Sequence, residues 1–230
     1  MFTGFTQKTI DFMWSIRLNN NRSWFEAHKD EYKHDFQAPM KELGQEVFAK
    51  IIADYGERGF IHKLSRIYKD ARRVRDGNMY RDNLWFSVEK PCAGKEESSG
   101  ILTFWFDLNP EGWSYGLGYY AAKAVTMEKL RVRVDDNPKE FEKLIDLLNS
   151  QGEFKLDGPE YARKKQAPTL KTQEWYNKKS FSLIHFGEIT NELFSREFVD
   201  RLVCGYKFLM PFYDYFDAVE TEGRPEVMDR

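Results

Sequence analysis

The hydrophobic period changes twice along this chain, and those two changes limit the folds open to it. Between Thr6 and Leu18, Ile10, Met13, Trp14 and Leu18 recur at helical spacing. Further on, Leu64–Arg72, Leu84–Val88, Ile101–Leu108 and Trp113–Tyr120 alternate as strands do. From Thr126 the helical period returns, and it closes the chain over Phe194–Tyr215. Helices first, strands in the middle and helices last describe an α+β fold. Its mostly antiparallel central sheet would be covered by the N- and C-terminal helices.

Local punctuation supports this division. Asn19-Asn20-Asn21 stops the first helix. Ser23 and Glu26 then stand at capping-box spacing for a second helix to about Asp35, with Phe25, Tyr32 and Phe36 inward. Pro39 can open a third helix on the stripe Leu43, Val47, Ile51. Asn109-Pro110-Glu111-Gly112 is turn chemistry and makes the two central strands a hairpin. Asn137-Pro138-Lys139-Glu140 starts another helix, with Phe141, Leu144, Ile145 and Leu148 as its apolar face. Residues 152–179 read as irregular, Lys179–Phe186 as a strand, and Pro211 as a break in the last helix. Phe198, Leu202, Tyr206 and Leu209 mark that helix's core side. Residues 1–218 are expected to form a single domain, with 219–230 an acidic, frayed tail.

Composition excludes several classes. Hydrophobic residues make up 41% and charged residues 31%, as in ordinary globular proteins. With 19 Phe, 12 Tyr and 6 Trp, the chain has ample large rings for a core. No signal-peptide pattern opens it, and no stretch reaches the roughly 18 apolar residues of a membrane span. Cys92 and Cys204 lie far apart, which makes no disulfide framework and suits a reducing compartment, so cytoplasmic location is the expectation. Cys204 falls in the amphipathic last helix and is expected in the core. The four histidines show no ligand spacing, so no metal site is expected. Gly116 and Gly118 lack the rest of a phosphate-loop fingerprint and are expected to leave room for a neighbouring ring.

Charge supplies the functional lead. The net charge is −2, yet His62–Arg81 holds Lys63, Arg66, Lys69, Arg72, Arg73, Arg75 and Arg81 against Asp70 and Asp76, a local +5. On a strand over Leu64–Arg72, Arg66, Tyr68, Asp70 and Arg72 share one face. Guanidinium forks suit phosphate or carboxylate oxygens. Asp70 could orient the arginines or act as a base. The same residues also suit a salt-bridge ladder on a solvated sheet face.

Two longer motifs carry a resemblance. Asn20-Asn21-Arg22-Ser23-Trp24-Phe25, then Lys29 and Tyr32, is similar to one signature of the domain-of-unknown-function 2461 family. Arg66-Ile67-Tyr68-Lys69-Asp70-Ala71-Arg72, then Tyr80-Arg81, is similar to another. The resemblance extends over nearly the whole chain and marks a divergent branch, since Arg73–Gly77 and Met79-Tyr80-Arg81 depart from the family pattern. It implies an α+β fold in a soluble cytoplasmic protein. It carries no reaction, cofactor or catalytic residue.

Three functions remain open. In the first, a small phosphate- or carboxylate-bearing ligand sits on Arg66, Arg72 and Arg81, joined by Arg22. Tyr68 and Tyr80 shape that pocket, and Asp70 is the candidate for proton transfer. In the second, a non-catalytic interaction or scaffold protein uses both motifs structurally. In the third, the +5 block binds nucleic acid; the net charge of −2 and the lack of a nucleic-acid motif argue against that. Reaction, cofactor and oligomeric state are not legible in the sequence.

Overall fold

The computed structural model describes residues 1–70, 72, 74, 77–91 and 100–221. Cys92, the basic Arg73 and Arg75, Asp76 and the tail from residue 222 lie outside the described residues. The fold is α+β. Among the described residues, six antiparallel strands form one sheet in the order β1-β2-β3-β4-β6-β5. They are β1 Ile61–Leu64, β2 Leu84–Glu89, β3 Thr103–Asn109, β4 Gly112–Gly118, β5 Lys155–Asp157 and β6 Ser182–Gly187. Among the described residues no helix is long and apolar enough to cross a membrane.

The N-terminal helices form for local reasons, though not all those expected. Helix α1, Gln7–Leu18, is capped by Thr6 and buries Thr9, Ile10, Phe12, Met13 and Ile16. Trp14 and Leu18, expected inward, are exposed; Trp14 lies instead under the Arg17 guanidinium, 4.8 Å away. Helix α2, Arg22–Ala27, is capped by Asn21, which accepts the Trp24 N–H at 3.0 Å. Asn21 thus takes the role expected of Ser23, its side-chain oxygen satisfying an orphan amide two residues before the expected one. A short α3, Lys29–Glu31, runs through a π-helical stretch, Tyr32–Gln37, into α4, Ala38–Tyr55. Phe25, Tyr32 and Phe36 are buried as expected, as are Leu43, Val47 and Ile51 of α4.

The hairpin β3–β4 closes where the turn chemistry places it. Asn109 Oδ1 accepts the N–H groups of Glu111 (2.9 Å) and Gly112 (3.2 Å). Along β3, Phe104, Phe106 and Leu108 are buried, and the residues between them are partly exposed. Strand β1 ends at Leu64, so among the described residues the strand expected over Leu64–Arg72 is not formed. A single bridge, Tyr68 with Tyr80, takes its place.

The chain divides into two compact units. The first holds the described residues of 1–91, 104–115 and 186–207. Its core centres on Phe106, which packs on Phe5, Phe86 and Phe198. The Tyr206 hydroxyl reaches inward to donate to the Trp105 carbonyl at 2.7 Å. Of the described residues, the second unit holds 100–103, 116–185 and 208–221. Helices α5, Ala124–Asp136, and α6, Pro138–Asn149, belong to it, and Asn137 caps α6 through the Glu140 N–H. Its core is a run of rings, Phe141–Trp175–Phe181–Phe216, with adjacent centroids 4.4–5.2 Å apart. Residues 152–179 are not wholly irregular: they contain β5, held by β6, and a short α7, Gln173–Tyr176. Gly118 leaves room not for a ring but for the backbone of Phe181 and Ser182 on β6.

The last helix, α8, runs from Phe198 to Thr221 with Pro211 inside it, so the expected break is absent. Residues 219–221 continue this helix, and Val219 is buried. Phe198, Leu202, Tyr206 and Leu209 are all fully buried. Cys204, expected in the core, is exposed, because it shares a helix face with Asp200 and Lys207, which are exposed too.

Leu202→Ala is expected to cost about 2–5 kcal/mol of stability in urea melts, as a large-to-small change at a fully buried site. Gly205→Ala adds a better helix former, worth about 1 kcal/mol in an open helix. Here its Cβ would overlap the Tyr115 ring, so the same melts should show a net loss.

Candidate functional site

The second signature is shaped by pairing rather than by a continuous strand. Ser65 donates its N–H to the Trp85 carbonyl at 2.8 Å and accepts the Trp85 N–H on its hydroxyl at 2.9 Å. Lys69 N–H donates to Met79 and Arg81 N–H to Ile67, which sets the bridge between Tyr68 and Tyr80. Side chains still alternate across this segment: Ser65 and Ile67 are buried, while Arg66 and Tyr68 point to solvent. The alternation ends at Asp70. Its carboxylate accepts the Arg72 backbone N–H at 3.0 Å and grips the Arg72 guanidinium at 2.8 and 3.1 Å. A short acidic side chain bonding backbone two residues on competes with a ladder, so the strand stops there.

The first signature holds this segment in place. The Asn20 side chain donates to the Tyr80 carbonyl at 2.9 Å and accepts the Tyr80 N–H at 2.8 Å. One amide side chain thus meets both backbone groups of Tyr80, as a neighbouring strand would. Phe25 stacks on the Tyr80 ring at 4.2 Å and meets Tyr68 edge-on at 5.7 Å. The other aromatic of the pair, Trp24, stacks on His28 at 4.1 Å. Glu26 holds Lys29, whose ammonium in turn favours ionisation of the Tyr80 phenol, as does Arg22. Burial outweighs both and pushes the Tyr80 hydroxyl up. Burial also pushes the Tyr32 hydroxyl up, to about 12.

A 670 Å³ cleft opens beside this clamp. Lys63, Arg66, Tyr68, Lys69, Arg81 and Trp85 line it, with Asp70 at its margin. Lys63 is spoken for: it pairs with the buried Glu89, which also accepts the Ser87 hydroxyl at 3.1 Å. Arg72 folds onto Asp70. Among the described residues, no carboxylate lies within ion-pairing distance of Arg66, Lys69 or Arg81. Arg81 contributes at longer range, where its charge opposes the burial that raises the Asp107 carboxyl.

Of the residues singled out in the sequence, the structure gathers Arg66, Tyr68, Asp70 and Arg81 on the cleft. Arg72 leaves the lining for Asp70, since their side chains sit only two residues apart. Tyr80 is core, 2% exposed, and supports the cleft from behind. Arg22 stands at the Tyr80 side of the clamp rather than on the cleft. Trp85 was not anticipated. The alternation of β2 pointed to it, because Leu84 and Phe86 face inward and leave Trp85 outward. Among the described residues no group of His, Cys, Asp and Glu could hold a metal ion.

Residues 8–215 match the family described as conserved hypothetical protein (DUF2461). The chain belongs to this family. A comparison with curated proteins finds no match. In this DUF2461 protein the two signature segments meet through Asn20 and Phe25 at Tyr80, and through Phe25 at Tyr68.

Asn20→Ala removes both bonds to Tyr80 and leaves its partly buried backbone groups unmet. It is expected to lower stability by about 1–3 kcal/mol in denaturant melts. Tyr32 gives a pH signature. The unfolded phenol ionises near pH 10, whereas burial keeps the folded one protonated to about 12. The unfolded state therefore loses its proton first, and stability falls as pH rises from about 10 to 12. Tyr32→Phe should flatten part of that fall in melting temperature measured from pH 8 to 12.

Proposed function

We propose that this DUF2461 protein binds a small anionic ligand, phosphate- or carboxylate-bearing, in the cleft beside Tyr68. One observation carries the reading: Arg66 stands exposed on the cleft wall, and no carboxylate pairs with it among the described residues. Lys69 and Arg81, half-buried on the same wall, likewise have no carboxylate within ion-pairing distance among the described residues. Three like charges on one concave surface repel one another, and each keeps hydrogen-bond donors aimed at water. An anion entering the cleft relieves that repulsion and receives charge-assisted hydrogen bonds.

The protein's own acids show why these donors stay open. Asp70 is occupied by the Arg72 guanidinium and backbone, and Glu89 by Lys63. Asp70 therefore orients the margin of the cleft, and an incoming ligand meets Arg66 first. The cleft's small size favours a compact ligand over a polyanion, and salt dependence separates the two. A strand contacting several phosphates weakens steeply with salt, while a pocketed ligand does not.

Calorimetric titration with inorganic phosphate tests the reading. Arg66→Met is expected to weaken phosphate binding by at least about tenfold, with the melting temperature nearly unchanged. Phosphate binding that Arg66→Met leaves intact, or a variant that fails to fold, would assign Arg66 a structural role and sink the proposal.

A further inference from the structure

The cleft holds more room than an isolated phosphate or carboxylate group fills. Its volume is 670 Å³, and pockets of about 300–1,000 Å³ accommodate whole small molecules. Its cations also share the walls with two aromatic side chains, Trp85 and Tyr68. Both rings keep surface in contact with solvent; Tyr68 is 49% exposed.

Neither ring hangs from a loose segment. Both backbone bonds of Trp85 are taken by Ser65. Tyr68 lies in the bridge to Tyr80, and its ring is braced by Phe25 at 5.7 Å and Tyr80 at 5.4 Å. Rigid aromatic rings that open onto a cationic concavity suit a flat ring in the ligand, since stacking needs only a π-face. Charge count narrows the anion. A carboxylate brings one negative charge, and a phosphate monoester about −1.5 to −2 at pH 7. Arg66, Lys69 and Arg81 together match the larger charge.

We propose that the ligand of this cleft is of the mononucleotide class: a planar heteroaromatic ring carrying a phosphate monoester. The phosphate lies on Arg66, Arg81 and Lys69, and the ring lies against Trp85 or Tyr68. This inference rests on the anion-binding reading and adds the ring. The same chemistry is offered by the end of a nucleic-acid strand. Outside the +5 block, however, the chain carries a net −7, which repels a long polyanion and favours the free nucleotide.

The test compares affinities of the full chain, by calorimetry, for inorganic phosphate, ribose 5-phosphate, adenosine, adenosine and uridine 5′-monophosphates, and a single-stranded dodecanucleotide. At least one nucleoside monophosphate should bind about tenfold or more tightly than ribose 5-phosphate, the contribution of one stacked base. Trp85→Leu or Tyr68→Leu should bring the nucleotide down to the level of ribose 5-phosphate and leave the latter unchanged. Because Tyr68 is half-exposed, its variant keeps the test open should Trp85→Leu fail to fold. Equal affinity for nucleotide and ribose 5-phosphate overturns the ring and leaves the anion reading standing. Adenosine binding as tightly as its monophosphate overturns the phosphate assignment. Tighter, steeply salt-dependent binding of the dodecanucleotide overturns the free nucleotide. If inorganic phosphate, ribose 5-phosphate and the nucleotides all fail to bind, the anion reading falls and the ring falls with it.

Discussion

The grip of Asn20 on the Tyr80 backbone is the constraint on which the candidate site depends. Among the described residues of 65–81 there is one bridge, with scattered backbone bonds to 79–85. Such a segment makes too few backbone hydrogen bonds to hold one conformation alone. Asn20 supplies both missing partners at Tyr80, and Phe25 adds a stacked ring. The N-terminal corner thereby does for this segment what a neighbouring strand does for a sheet. The outward direction of Arg66 and Tyr68 follows from that fixed backbone.

Electrostatics then separates structural from available charge. Arg17 joins Asp82 and Glu111, Arg196 joins Glu46, and Lys50 joins Asp200. Each of these cations ties one element of the first unit to another. At the cleft, by contrast, Lys63 and Arg72 consume the nearby carboxylates, and Arg66, Lys69 and Arg81 form no ion pair among the described residues. The concentration of cations in one short stretch exceeds what its own acids can neutralise. The fold brings acids into ion-pairing distance of the structural cations and none into ion-pairing distance of these three among the described residues.

Much of the architecture could be read locally, and its failures have local causes as well. Ile10, Phe36, Val47, Phe106 and Leu202 lie where the periods place them, because a half-buried helix or strand imposes its own repeat on the sequence. Trp14 has helical spacing too, but Arg17 offers its ring a face at the surface. Pro211 breaks the reading and not the helix, since α8 continues through it with Met210 and Phe212 buried on either side. Leu64–Arg72 alternates like a strand, and the alternation of inward and outward side chains survives through Tyr68. What fails is the ladder, because Asp70 draws the Arg72 backbone into a local bond.

The order of helices and strands, the apolar faces and the local excess of positive charge follow from neighbouring residues alone, and sequence determines them. Which cations keep no partner is a different kind of property. Arg66 and Arg72 carry the same charge six positions apart, yet one opens onto a cleft and the other closes on Asp70. Asn20 and Tyr80 are sixty positions apart, and no periodicity announces their pairing. Periodicity is short-ranged, whereas pairing depends on where the chain returns after long excursions. Only the tertiary structure could decide that Arg66, Tyr68, Arg81 and Trp85 share one concave surface.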